Sequence, residues 1–239
     1  MIAGTLAIYT DPLDEPLETW SERGRYPTLV VSGSQETHGD ATAQHGQVAG
    51  RVETTETDVL VYEDQDGDTR IETDRIDGIE TIATDWYADP TDSGVILAES
   101  VADPDAEYPF PFDVFAGIAD SRVQRQQLDV ETLHDDWQDA DGLSDVWMGA
   151  GDGQVGTRIG YHGAARDVDP TIGLGFKRAW GGTTIKGVAY ASGYVALYSA
   201  RHPADGLQFV ADEILPYAES WDPEQHQDQT DFDDFGGGA

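Results

Sequence analysis

The sequence predicts a strand-rich α+β protein in four parts. These are a small β-barrel or roll over residues 1–101, a proline-rich linker at 102–112, an α+β domain with an antiparallel sheet and two helices at 113–220, and an acidic extended tail at 221–239. Three observations predict this. Short runs rich in β-branched residues recur through the first hundred positions, separated by Gly, Asp and Pro. Pro104, Pro109 and Pro111 then interrupt the chain, and apolar residues beyond them recur at helical as well as strand spacing. After Trp221 no period persists.

In the first part the strand-like runs fall at 2–9, 28–32, 48–52, 59–62, 69–73 and 94–98. The Asp66-Gly67 step between the fourth and fifth suits a turn with positive φ, so a hairpin is expected there. In the second part Asp129 can cap a helix running to Gln138, with Val130, Leu133 and Trp137 on one face. Strands follow at 145–148, 157–161, 173–176, 184–190 and 193–199. Asp205 is placed to cap a second helix that carries Leu207, Val210, Ala211 and Ile214 at i, i+3, i+4 and i+7 and stops near Pro216.

The chain has 47 Asp and Glu against 13 Lys and Arg, a formal net charge of −34. At low ionic strength this charge pushes the compact state apart, whereas molar salt shortens the Debye length to about 3 Å and removes most of that cost. Only two of the cations are lysine, Lys177 and Lys186. Acidity with lysine depletion points to a protein built for multimolar salt, in the cytoplasm of a salt-accumulating archaeal halophile or in a virion of its virus. Disorder is disfavoured, because 38% of residues are hydrophobic and six are Trp, enough to form a core. The absence of cysteine excludes disulfides, thiolate metal sites and thiol nucleophiles. No apolar run approaches the length that spans a bilayer, and the first residues lack the basic flank and apolar core of a signal peptide, so export by a signal peptide is not expected.

Catalytic and cofactor motifs do not stand out. Gly151, Gly153 and Gly156 match the dinucleotide-loop spacing, but the residues that follow read as strand where that site needs a helix. Asp64, Asp66 and Asp68 alternate as in a calcium loop, yet Thr69 stands at the glycine position and Arg75 where a bidentate Glu closes the shell. A hairpin turn explains them better, leaving weak cation binding as the alternative. The histidines His38, His45, His134, His162, His202 and His226 are scattered, and His38 and His45 read as members of a surface loop. No catalytic residue, metal or cofactor is assigned. A hydrolase with an unrecognised His/Asp site is the third functional reading.

Two features depart from the acidic background. Residues 153–203 hold Arg158, Arg166, Lys177, Arg178, Lys186 and Arg201 against only Asp167 and Asp169, interleaved with Tyr161, Phe176, Trp180, Tyr190, Tyr194 and Tyr198. Cations among aromatics suit phosphate pairing and base stacking, with Arg158, Lys177, Arg178, Trp180, Lys186 and Tyr190 as the contact set. A buried sheet that sheds acids and keeps a few cations for internal or subunit pairing has the same composition.

The second feature is the tail, where Gln229, Phe232 and Phe235 stand at intervals of three. This pattern resembles the sliding-clamp-binding peptide at the carboxy terminus of many archaeal replication and repair proteins. The resemblance implies a polar pocket for Gln229 and an apolar one for Phe232 and Phe235, although Gly236 replaces that family's second aromatic. A general docking peptide anchored by two phenylalanines is the simpler alternative. The leading expectation is therefore a non-enzymatic binding or assembly protein, a structural subunit anchored to a protein partner or a second copy by its tail. The runner-up is a clamp-tethered DNA-handling accessory factor.

Overall fold

The computed structural model of the protein describes residues 1–17, 21–23, 27–39, 41–63, 69–99, 101, 109–138, 146–150, 158–159 and 171–220. Within them the chain is strand-rich, with antiparallel pairing throughout and three α-helices, which places it in the β-rich α+β class.

The organising element is β1 (Ile2–Tyr9), whose sequence is apolar on both faces, as a strand covered on both sides requires. One edge pairs with β6 (Val95–Ala98). The other edge is shared: residues 2–5 pair with β12 (Tyr194–Leu197), and residues 7–9 with β7 (Val123–Leu128). Ile2 and Leu6 enter one core, and Ala7 and Tyr9 enter another on the opposite face.

From β1 the sheet runs outward through β6 to β5 (Thr69–Ala88), β4 (Ala41–Glu63), β3 (Pro27–His38) and β2 (Ser21–Arg23). On the other side it runs through β12 to β11 (Thr183–Tyr190), β10 (Thr171–Trp180), β8 (Val146–Ala150) and β9 (Arg158–Ile159). β13 (Ala218–Ser220) pairs with the free edge of β7. Strands from 1–101 and from 113–220 thus lie in one open sheet, joined through β1 and β12. Closure of the first strands into a small barrel is not shown among the described residues.

Several elements differ in extent from the sequence expectation. The runs expected at 48–52 and 59–62 are parts of the single strand β4, and β5 continues from 69 to 88. The expected loop holding His38 and His45 is a hairpin: β3 ends at His38, Gly39 takes φ +62, and β4 begins at Ala41. A helix, α1 (Phe112–Ala119), starts at the end of the expected linker, because proline is compatible with a first helical turn. Its Phe112, Val114 and Phe115 pack with Ala7, Tyr9, Trp86 and Ile96 on one face of the sheet.

Helices α2 (Val130–Gln138) and α3 (Pro203–Phe209) cover the opposite face. The Asp129 cap is present: its carboxylate accepts the Thr132 N–H at 2.9 Å and the Thr132 hydroxyl at 2.6 Å. Leu133 and Trp137 of α2 meet Leu207 and Phe209 of α3, together with Val210 and Ile214 of the wider π-helical turn that follows, over Leu174, Phe176 and Ile185 of the sheet. Asp205 does not cap α3. His202 stands at the N-cap position, and Asp205 lies inside the first turn.

The split at the edge of β1 sets a close approach. The turn joining β11 to β12 abuts β7 there, with Leu6 N–H donating to Gly193 O at 2.9 Å and Leu128 N–H to Ala191 O at 3.0 Å. Gly193 has φ +82, and a Cβ on it meets Gln126 O at 2.0 Å. Gly193→Ala therefore combines backbone strain with a clash against main chain, and should lower stability by about 3 kcal/mol or more. Gly39→Ala, at φ +62 with open space around it, should cost only about 1–2 kcal/mol. Denaturant unfolding of both variants in molar salt checks the ranking.

Tyr9 gives a second test. Its hydroxyl donates to Phe115 O at 3.4 Å, and burial pushes its pKa well above the ordinary tyrosine value. The folded state keeps Tyr9 neutral where the unfolded chain ionises it, so its contribution is complete below about pH 10 and is lost as pH rises through the folded value. The alkaline fall in unfolding midpoint should be shallower in Tyr9→Phe, as thermal scans from neutral to high pH would show.

Candidate functional site

The register between β10 and β11 divides the basic, aromatic-rich stretch between two faces. Directly opposed residues share a face, and successive residues alternate. Leu174, Phe176, Arg178 and Trp180 face the helices, opposite Ala189, Gly187, Ile185 and Thr183 respectively. Gly173, Gly175 and Lys177 occupy the other face, opposite Tyr190, Val188 and Lys186. The two lysines of the chain are therefore cross-strand partners. Tyr198 extends that row, since its N–H donates to Lys186 O at 2.8 Å.

On the helix side Arg178 is committed to internal contacts. Its Nε donates to Glu213 Oε2 at 2.5 Å, and its guanidinium carbon lies 4.5 Å from the Trp137 ring centroid. Trp137 stands edge-on to Phe176 and Phe209, and Trp180 edge-on to Phe209. The hydroxyl of Tyr217 donates to Asp136 at 3.0 Å; burial, then this bond, raises its pKa. Arg178 and Trp180 thus serve the seam between sheet and helices.

On the lysine side Ala3, Val188 and Ala196 form a small buried cluster, with Tyr190 and Tyr194 packed against it. Burial raises the pKa of Tyr194, and the Glu99 carboxylate adds to the effect. Lys177 is half-buried and engaged in interactions of its own, whereas Lys186 is exposed. Tyr198 is 55% and Met1 68% exposed. This face therefore carries the exposed Lys186, Tyr198 and Met1 around a small buried apolar cluster.

A second cluster links residues remote in sequence. His38 Nδ1 lies 2.6 Å from Asp205 Oδ1, and His202 Nδ1 lies 2.8 Å from Glu36 Oε1. The two imidazoles stack at 4.2 Å. β3 and the start of α3 thus exchange one histidine and one carboxylate each. The arrangement is a reciprocal clasp between the β3–β4 hairpin and α3, with all four side chains about a third to a half exposed. Sequence reasoning missed it because partners more than 160 positions apart leave no local spacing signal. Among the described residues no group of three or more His, Asp or Glu is arranged to hold a metal ion.

Arg158 lies in β9, which pairs with β8. Asp64, Asp66 and Asp68, the glycines at 151–156, and Gln229, Phe232 and Phe235 lie outside the described residues. No helix among the described residues is long and apolar enough to cross a membrane. The chain matches no family model, no curated protein and no solved structure.

The Arg178 assignment is directly testable. Arg178→Met strands the partly buried Glu213 carboxylate and should cost about 3 kcal/mol, whereas adding Glu213→Gln should recover most of that loss. Denaturant unfolding of the single and double variants measures the coupling.

Proposed function

We propose that this chain is a non-enzymatic binding and assembly protein of a salt-accumulating halophile or of its virus, a structural subunit that engages a protein partner or further copies of itself. The observation that carries this reading is the β4–β5 ribbon. β4 pairs with β3 only as far as Gly50, and β5 pairs with β6 only over residues 86–88. The two strands nevertheless stay paired with each other from Arg51↔Thr81 to Glu63↔Thr69. That length is about 40 Å at the rise of an antiparallel strand.

Among the described residues no other strand accompanies this part of the ribbon. Ile79 lies on this part of the ribbon, directly opposite Glu53. An isolated two-stranded ribbon is marginal in water and cannot cover both of its own faces. Ile79 shows the consequence, at 60% exposure. Such an arm is completed by an outside surface, which is what an assembly supplies, and molar salt screens the repulsion between acidic copies.

In sedimentation equilibrium in multimolar KCl the chain should associate. Ile79→Asn, which removes an apolar contact worth about 1.5–3 kcal/mol, should weaken association about ten-fold or more while leaving the unfolding midpoint nearly unchanged. A monodisperse monomer across the concentration range, with no partner engaged through the arm, sinks this reading.

A further inference from the structure

We propose that the open edge of β3, residues 33–38, pairs antiparallel with the same edge of a second copy, joining two sheets across a two-fold axis at Gln35. The inference rests on the assembly reading for its premise that copies associate, and it names a contact separate from the β4–β5 arm.

The edge is open over a definite length. β3 pairs with β4 without a break in register from Leu29↔Gly50 to His38↔Ala41, but on its other side β2 accompanies it only over 27–30. Continued backwards along β3, β2 would set Leu17 opposite Ser34. Leu17 is held elsewhere: its N–H and C=O both bond the Gln44 side chain, at 2.8 and 2.9 Å, and it packs in the cluster of Val48, Trp86 and Phe115. Among the described residues no strand lies beside 33–38, and Gly33, Ser34, Gln35, Thr37 and His38 are exposed. Alternate residues of such an edge turn their N–H and C=O groups outward, here over about 20 Å.

Edges are commonly guarded by lysine, proline or a bulge. This stretch has no lysine or proline, and no bulge against β4. Its polar side chains bond to its own body. Ser34 Oγ lies 3.2 Å from His45 Nε2 and Thr37 Oγ1 3.4 Å from Thr42 Oγ1, while Glu36 and His38 hold His202 and Asp205. These bonds fix the strand and leave its outer main chain bare, which is the surface that strand addition uses.

Charge selects a second copy as the occupant. A chain of net charge −34 repels its own kind except where acids are sparse and engaged, and these six residues hold one acid, Glu36, already bonded to His202. An axis at Gln35 sets Ser34 opposite the partner's Glu36, hydroxyl against carboxylate. An axis at Glu36 sets two carboxylates opposite one another, which opposes pairing. Antiparallel pairing of one strand with its own copy is a self-complementary contact that closes a dimer. Main-chain pairing needs no ionic partner, and molar salt screens the repulsion that remains between the bodies.

The chain contains no cysteine, so one introduced thiol is unique. Directly opposed residues lie close enough for a disulfide. Full-length Gln35→Cys, in multimolar KCl with oxidised glutathione as the oxidant, should therefore be joined into dimers about ten-fold or more faster than Thr183→Cys, whose position is exposed but off this edge. Successive N–H groups alternate between β4 and solvent, so one of Ser34→Pro and Gln35→Pro spares the β3–β4 ladder. That variant, recognised by its higher unfolding midpoint, should dimerise about ten-fold or more weakly than the parent in sedimentation equilibrium; where both lose the fold, the thiol comparison decides. Joining of Gln35→Cys no faster than of Thr183→Cys, or parental dimerisation by the sparing variant, overturns the proposal. So does joining of Gln35→Cys to a different protein of a cell extract in place of its own kind. The two contacts fail separately. Oligomers that Ile79→Asn dissolves while Gln35→Cys stays unjoined overturn the edge and leave assembly through the arm, whereas joined dimers indifferent to Ile79→Asn do the reverse.

Discussion

The structure depends on β1 being covered on both faces and paired along both edges. An eight-residue strand in that position cannot spare a face for charge, and Ile2–Tyr9 carries none in a chain where one residue in four is charged. Its central place also demands close approach. A Cβ on Gly4 falls 2.5 Å from the backbone nitrogen of Ala98, so only glycine allows β1 to coil against β6 there. Through β1 the two halves of the chain share one sheet, with α1 covering one face and α2 and α3 the other.

Much of this was legible where one face is buried. The helical spacing of Leu207, Val210 and Ile214 and the Asp129 cap announced the helical layer, because burial of a stripe and satisfaction of a first turn are local demands. The ribbon was not legible as a whole. Its middle, Glu53 to Asp58, is polar on both sides and shows no alternation, so it reads as a connection between two short strands. β7 was hidden for a different reason. Its Gln126 and Gln127 are buried, with the Gln126 amide donating to Gln124 O at 3.0 Å, and a buried but hydrogen-bonded glutamine looks like surface in the sequence.

The basic stretch was visible as composition, while its division was not. Alternation along β10 sends Lys177 and Arg178 to opposite faces, where one row of residues meets the helices and the other does not. Arginine goes inward, because a planar guanidinium can stack on Trp137 while its Nε binds Glu213. Lysine is a compact, strongly hydrated charge, and Lys186 remains outside. The same sorting explains how so acidic a chain holds an aromatic core between sheet and helices: Arg178 pairs there with Glu213 and lies over the Trp137 ring.

The clasp between β3 and α3 bears on the arm in a way neither feature shows alone. β4 is one continuous strand from Ala41 to Glu63, and among the described residues its contacts beyond β5 gather at its first end. There β3 flanks it, and the side-chain amide of Gln44 exchanges hydrogen bonds of 2.8 and 2.9 Å with the backbone of Leu17. Val48 is buried beside Trp86, and the stacked pair His38 and His202 ties the hairpin to α3. Beyond Val52 only β5 accompanies it among the described residues. A strand held firmly over its first dozen residues, and accompanied beyond them only by β5 among the described residues, has a stiff root. Ordering an arm on a partner costs less entropy when the root already fixes its direction. The hydrogen bonds, ring stacking and reciprocal carboxylate pairing at the root are therefore physically coherent with an arm on which Ile79 stands exposed.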